Sequence, residues 1–321
     1  MHDELKGYPL LGSIQNDVGY GFIGNQAVAA VANPLKVRTA TMTTGYASAR
    51  GGVENRLMFA PSAIDFRRGV QFLIHLAPPV LLIGYLARYE YVATLAELLP
   101  EYSGIVILDP VIGNANGLYV SDETASAIRR LLVPFAQILT PNRFEALLLT
   151  ENMHEQGIGE AKILEDVLAL GPTATLITSW QRDTGEKRIV NIFGNAYGQT
   201  RITAPYYTAM TGYGSGDVLA AALATFTALG ASPNIAAVLA TAFATLSVKL
   251  STPYGYSTVD PIAVHDLFKP RGVYDKQATA YAYAARYEVE TAIIPPLDKP
   301  PARLRGPGLA AAMQQAERVG F

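Results

Sequence analysis

What most constrains this chain is a rhythm: from residue 10 to about residue 250, apolar runs of four to six residues alternate with longer stretches of helical periodicity. The pattern predicts strands at Leu10–Ile14, Val37–Met42, Val80–Ile83, Ile105–Leu108, Ala136–Leu139, Ala174–Thr178 and Ile189–Phe193. Helices are expected at Gly24–Val31, Pro61–Leu76, Tyr89–Leu99, Asp122–Leu132, Asn142–Leu149 and Glu160–Leu170. Several of the strands are apolar without alternation, so helices should cover both faces of their sheet. The expected fold is α/β, a doubly wound, mostly parallel central sheet. Such sheets bind ligands beyond the carboxyl ends of their strands, which makes the segments after each strand the first candidates for function.

Composition narrows the classes of function. The chain has 25 Lys plus Arg against 27 Asp plus Glu and no long block of one sign, so nothing supplies the bulk basic field that nucleic acid requires. With 16% charged residues, 50% hydrophobic residues and no cysteine, it is neither disordered throughout nor a disulfide scaffold. Three apolar stretches, Phe72–Leu86, Val218–Ala231 and Ile235–Leu250, fall short of about 18 uninterrupted apolar residues and read as core, not as membrane spans. Asp3, Glu4 and Lys6 precede any apolar run, which is not a secretory pattern and leaves the cytoplasm as the expected location. Residues 1–260 should form one domain. Residues 261–321, with Pro270, Pro295-Pro296, Pro300-Pro301, Pro307, a tyrosine-rich run from Tyr274 to Tyr287 and a closing helix at Gly308–Val319, read as an extension lying on the core or on a partner subunit, or as partly disordered.

The sharpest local signal is Thr211-Gly212-Tyr213-Gly214-Ser215-Gly216-Asp217, which runs straight into the apolar helical stretch Val218–Leu229. Glycines let successive amides turn toward one point, and a helix starting there adds the positive end of its dipole. The amides of Gly214, Ser215 and Gly216 could hold a phosphoryl group while Asp217 takes the proton of an attacking alcohol. The plain alternative is a glycine turn with Asp217 as a capping residue. Asp109 closes an apolar strand and could order a magnesium ion or a water of its shell. Asn142 and Glu145, three apart at a helix start, could position magnesium and phosphate oxygens; the plain alternative is a capping box between Thr140 and Glu145. His75, His154 and His265 are too scattered for zinc.

The glycine segment resembles the Gly-Thr-Gly-Asp signature of the ribokinase-like superfamily, with Ser215 in place of the threonine. The run Ser13-Ile14-Gln15-Asn16-Asp17-Val18-Gly19-Tyr20-Gly21-Phe22-Ile23-Gly24-Asn25 resembles the opening of pyridoxal kinases, and Asp109-Pro110-Val111-Ile112-Gly113-Asn114, Gly117-Leu118-Tyr119-Val120 and Leu139-Thr140-Pro141-Asn142-Arg143-Phe144-Glu145-Ala146 follow in the family's order. The resemblance implies an ATP-dependent kinase of the hydroxymethyl group of pyridoxal, pyridoxine or pyridoxamine, with Asp217 as base. It implies ATP and Mg2+ as cofactors, with a monovalent cation as a further candidate, and a homodimer. ATP and metal would be held by Asp109, Asn114, Thr140, Asn142, Glu145, Thr178 and Ser179, the metal by Asp109 and Glu145 in particular. The substrate would meet Asn16, Ile23, Ala47, Gly51, Tyr85 and Tyr119.

Departures gather where the family recognises the pyridine ring. Asn16 and Asp17 replace a serine and a histidine, and Arg50-Gly51 stands over a His-Thr pair, leaving Thr43, Thr44 or Ser48 to supply a hydroxyl. Asn114 takes the place of a second acidic residue. Kinases of another small alcohol, such as hydroxymethylpyrimidine, and a catalytically silent vitamer-binding homologue are the alternatives these changes raise.

Overall fold

The computed structural model describes residues 7–155, 157–207, 213–254, 258–269 and 276–295. Strands are β1 (Leu10–Val18), β2 (Arg38–Ala47), β3 (Met58–Phe59), β4 (Val80–Ile83), β5 (Ile105–Leu108), β6 (Gly113–Asn114), β7 (Gly117–Leu118), β8 (Ile138–Leu139), β9 (Ala174–Asp183), β10 (Arg188–Asn195), β11 (Gly198–Pro205) and β12 (Glu290–Ile293). Helices are α1 (Asn25–Ala32), α2 (Ala63–His75), α3 (Tyr89–Leu98), α4 (Asp122–Ala127), α5 (Arg143–Leu149), α6 (Glu160–Leu168), α7 (Ser215–Ala228), α8 (Pro233–Ser251) and α9 (Gln277–Ala285).

Ten strands form one sheet in the order β12-β11-β10-β9-β8-β5-β4-β1-β2-β3. The stretch from β9 to β2 is parallel, while β3 at one edge and β10, β11 and β12 at the other run antiparallel to their neighbours. Alternate residues of the apolar strands feed opposite cores: Val80, Leu82 and Ile107 pack under α1, α7 and α8, while Leu81, Ile83 and Leu108 pack under α2, α3 and α6. Because β1 lies between β2 and β4, the direction of winding reverses at β1, the point beyond whose carboxyl end sheets of this kind form their ligand crevice.

Several boundaries differ from those expected. β1, β2 and β9 run four or more residues further than their apolar cores suggest, because their polar ends still pair across the sheet. β11 and β12 were not expected: β11 buries Ile202 and Ala204 beside exposed polar residues, the weak alternation of a half-covered edge. The helix expected over Asp122–Leu132 is α-helical only to Ala127, then widens into a π turn over Ile128–Leu132 and ends in a 3-10 turn at Pro134. α8 is long and apolar enough to cross a membrane by length and composition, and 72% of its most apolar window is buried inside the fold. α9 adds Ala280, Tyr283 and Ala284 to the core and β12 joins the main sheet. The helix expected at Gly308–Val319 lies outside the described residues.

Candidate active site

The cleft is built first by the return of the chain after β1. Asp17 pairs with Gly24 in an antiparallel bridge, and Gly24 caps α1 with φ 60° and ψ −132°. A Cβ at Gly24 would lie 2.1 Å from the Asn16 carbonyl oxygen, so only glycine fits. Under this loop a buried network locks β1 to α1: Ser13 Oγ donates to Asn25 Oδ1 at 2.8 Å, Gln15 Nε2 to Ser13 Oγ at 3.2 Å, and Asn25 Nδ2 to the Gln15 carbonyl at 3.0 Å. The Ser-Ile-Gln run therefore shapes the loop, and Asn16 is the residue it presents beside Gly24.

The glycine turn packs on that loop. Gly214 caps α7 in the left-handed region at φ 83°, where a Cβ would stand 2.6 Å from the Phe22 carbonyl oxygen and 3.4 Å from Ile23 Cγ1. At Gly216 a Cβ would meet no atom of the described residues within 4 Å, so its face is open among them. No described residue accepts a hydrogen bond from the amides of Gly214, Ser215 or Gly216. Asp217, in the first turn of α7, is not the cap; its Oδ1 accepts the Gly24 amide at 2.7 Å. Burial raises its pKa, opposed by that bond and by its own backbone N–H. Thr211 and Gly212 lie outside the described residues.

Two further carboxylates stand within electrostatic reach. Asp109, just after β5, accepts Thr140 Oγ1 at 3.0 Å. Burial holds its pKa well above the carboxylate range, and Glu145 and Asp217 push it further. Glu145 is 3% exposed; its Oε1 accepts the Ile112 and Gly113 amides at 3.0 and 3.3 Å, and its Oε2 the Asn142 amide at 2.8 Å. Asn142 Oδ1 returns the bond from the Glu145 amide at 3.0 Å, so the capping box joins Asn142 and Glu145, and Thr140 serves Asp109 instead. Burial drives the Glu145 carboxyl up to about 7 against these three amides. Asn142 Nδ2 holds the Gly113 carbonyl at 2.9 Å, and Asn142 bridges to Thr178. Next to it Ser179 takes φ 51°, its amide bonded at 2.8 Å to buried Asn191 Oδ1. The phosphate-side residues expected from the sequence, Asp109, Thr140, Asn142, Glu145, Thr178 and Ser179, thus form one connected group at the ends of β5 and β8 and the middle of β9. Trp180, buried, lies under the Arg143 guanidinium at 4.9 Å.

The rim is aromatic. The β6–β7 hairpin carries Tyr119, half exposed, whose hydroxyl accepts from Asn114 Nδ2. Burial first, then Glu145, Tyr213 and Asp217, raise the Tyr119 pKa. Tyr85 donates to the Tyr119 carbonyl at 3.4 Å. Ala47 ends β2, paired with Val18 and Met58, and Gly51 sits in the exposed turn that follows. Of the hydroxyls that could replace the one missing at Arg50-Gly51, Thr43 donates to the Gly45 carbonyl and Thr44 to that of Tyr85, whereas Ser48 only accepts the Leu57 amide and keeps its own proton to donate. Two features escaped the sequence. One is the Gly24–Asp217 bond, for which a positive-φ glycine before a helix was the sole signal. The other is Arg50, whose guanidinium stacks on the Tyr213 ring at 4.2 Å.

A glycine turn at a helix start, a carboxylate beside it and a sheet that reverses its winding at β1 define a ribokinase-like α/β phosphotransferase. Comparison with known proteins agrees. The family model described as phosphomethylpyrimidine kinase matches residues 70–262. A pyridoxine/pyridoxal/pyridoxamine kinase of Bordetella avium is 30% identical over 240 residues, covering 68% of this chain and 78% of that protein. The pyridoxal kinase of Arabidopsis thaliana is 30% identical over 182 residues, which spans 52% of this chain and only 57% of the plant protein. Among solved structures, Staphylococcus aureus pyridoxal kinase with ADP superposes with a TM-score of 0.75 at 17% identity over 90% of this chain and all of that one. The Entamoeba histolytica pyridoxal kinase gives 0.72 at 17% identity over 89% of this chain and 99% of its own. The chain belongs to the pyridoxal kinase family of the ribokinase-like superfamily.

Proposed function

We infer that this protein is an ATP-dependent kinase that phosphorylates the hydroxymethyl group of a B6 vitamer. The observation that carries the reading is Asp217, recessed at the start of α7, with one oxygen fixed by the Gly24 amide and the open face of Gly216 one residue away. The vitamer hydroxyl loses its proton to Asp217 as its oxygen attacks the γ-phosphorus, and the amides of Gly214, Ser215 and Gly216 meet the equatorial oxygens. Relatives named as pyridoxal kinases support the acceptor, and the Staphylococcus aureus enzyme solved with AMP-PCP and pyridoxal supports the pair of substrates.

The residues fit magnesium. Three carboxylates share a recessed space with no cation paired to them among the described residues, and Asp109 keeps one oxygen beyond its bond to Thr140. Glu145 has both oxygens committed to amides, so it shapes the Pro110–Asn114 loop and adds charge, while Asp109 is the carboxylate that would hold the ion's water shell. No three such side chains among the described residues converge tightly enough to bind an ion unaided, so phosphates and water would supply most ligands. Held by Asp109 through its water shell, magnesium would supply positive charge against the phosphates of the nucleotide. Need for ATP points to the cytoplasm. Homodimer formation is supported by the exposed apolar edge of Leu57, Met58, Phe59 and Ile64.

Asn16 and Asp17, together with a family model described as phosphomethylpyrimidine kinase, favour hydroxymethylpyrimidine as the second candidate acceptor. ADP release with ATP, magnesium and each of pyridoxal, pyridoxine, pyridoxamine and hydroxymethylpyrimidine tests both. Turnover of the pyrimidine alone would replace the vitamer reading, and turnover of none would end it.

A further inference from the structure

The catalytic reading leaves a cation beside the site without a task. Arg50 lies on the flap between β2 and β3, and its guanidinium carbon stands 4.2 Å from the centroid of the Tyr213 ring. Tyr213 immediately precedes Gly214, and its carbonyl is fixed by the Val259 amide at 2.9 Å, so the ring is anchored next to the phosphoryl cup. Of the five donors of Arg50, one Nη1 hydrogen meets the Gly51 carbonyl at 3.0 Å. No described carboxylate forms an ion pair with it. Arg56, the flap's other arginine, is drawn away: its Nε lies 3.1 Å from Met58 Sδ, and its charge is felt at Tyr85 on the ring side of the pocket.

Charge makes this placement consequential. The transfer converts a neutral alcohol into a phosphate monoester that carries nearly two negative charges at neutral pH. On the proposed reaction that ester forms near the acidic groups Asp109 and Glu145, which interact electrostatically with each other. In the step the acceptor oxygen bonds to the γ-phosphorus, the bond from phosphorus to the bridging oxygen breaks with its electron pair leaving on ADP, and the hydroxyl proton passes to Asp217. When the nucleotide leaves, the groups of the glycine turn proposed to face the new ester are the backbone amides of Gly214, Ser215 and Gly216, which carry no formal charge. A guanidinium stacked on an aromatic platform is preorganised and able to meet phosphate oxygens with paired donors.

We propose that Arg50 is a phosphate-gripping residue of this chain, binding the phosphoryl group as it becomes the ester of the product, with Tyr213 as the platform that holds the guanidinium beside the cup. The inference rests on the vitamer-kinase reading. It separates two states of one ligand: the phosphorylated product engages Arg50 and the unphosphorylated substrate does not.

The test is calorimetric titration of the full chain with pyridoxine and with pyridoxine 5′-phosphate, neither of which has an aldehyde to react with lysines. Arg50→Met should weaken binding of the 5′-phosphate at least about tenfold, the scale of one charge-assisted contact, and leave pyridoxine binding within about twofold. Arg50→Lys should recover part of the loss, and Tyr213→Leu should show a smaller loss with the same selectivity. Equal weakening of both ligands by Arg50→Met would mean that the arginine only closes the flap, and unchanged binding of the ester would mean that it touches nothing; either overturns the proposal. If Arg50→Met fails to fold, Arg50→Lys decides it through the ratio of the two affinities, which must fall. Wild-type turnover of pyridoxine, measured in parallel, keeps the outcomes apart: its absence removes the kinase reading, whereas its presence with an unselective Arg50 variant removes this inference alone.

Discussion

The backbone amide of Gly24 donates a 2.7 Å hydrogen bond to Oδ1 of Asp217, joining residues 193 positions apart. One carboxylate oxygen is thereby held in place, and in the proposed reaction the carboxylate takes the proton of the acceptor hydroxyl. Asp217→Asn preserves an oxygen for the Gly24 amide but offers no site for the proton. Turnover should fall at least about a hundredfold, with nucleotide affinity changed no more than a few fold. Single-turnover ADP formation beside nucleotide titration checks this; near-normal turnover would remove Asp217 as the base.

Two glycines of the same cleft should respond to alanine in opposite ways. A Cβ at Gly216 meets nothing within 4 Å among the described residues and lies in a helical first turn, so Gly216→Ala should hold or raise stability by about 0.5–1 kcal/mol. It should nevertheless cost turnover, because the methyl would occupy the space proposed to receive the phosphoryl group. Gly24→Ala forces a left-handed backbone and a clash with the Asn16 carbonyl, and should destabilise by about 1–3 kcal/mol or more. Urea unfolding and ADP release, measured on both variants, separate the effects.

How much of this the sequence carried follows from how far each signal reaches. β4 and β5 were read with their observed bounds, since a fully buried parallel strand announces itself by an unbroken apolar run. β11 was invisible because its one covered face leaves only Ile202 and Ala204 as clues. At the site, Asn142 and Glu145 were placed on one face by spacing, yet their partners, the amides at 112 and 113, sit 33 and 32 residues from Glu145 and depend on the fold of the β5–β6 loop. The capping partner was misjudged between Thr140 and Asn142 because both are competent caps, and the choice was made by Asp109 claiming the threonine hydroxyl. The stacking of Arg50 on Tyr213 left no trace in either segment, since it exists only once the flap and the glycine turn meet across the cleft.

The acidic centre should invert the usual dependence of stability on pH. Glu145 titrates near 7 in the fold against 4.5 for a free side chain, and Asp109 and Asp217 are raised as well. Between those values the native protein binds more protons than the unfolded chain, so its stability falls as pH rises. For Glu145 the loss is on the order of 3 kcal/mol from about pH 4.5 to about pH 7. Urea unfolding without nucleotide at about pH 5 and about pH 7.5 should give the larger stability at the lower pH. Glu145→Gln should flatten the slope, and a wild-type stability that rises across this window would contradict the burial of these carboxyls.

Asp109 then offers a direct trade between stability and activity. Its carboxylate is strained by burial and by Glu145 and Asp217, and the bond from Thr140 relieves only part of that. Asp109→Asn keeps an oxygen for the Thr140 hydroxyl while removing the repelled charge, so the nucleotide-free protein should unfold at higher urea near pH 8. On the proposed reading the same change would deprive hydrated magnesium of its anionic partner. Turnover at limiting magnesium should drop about tenfold to a hundredfold, the scale on which outer-sphere partners act, and should recover in part when magnesium is raised. Recovery is the informative result, because a residue serving only the fold would lose activity by the same factor at every magnesium concentration. A variant that is both less stable and unresponsive to magnesium would show that Asp109 supports the β5 loop and has no part in holding the metal.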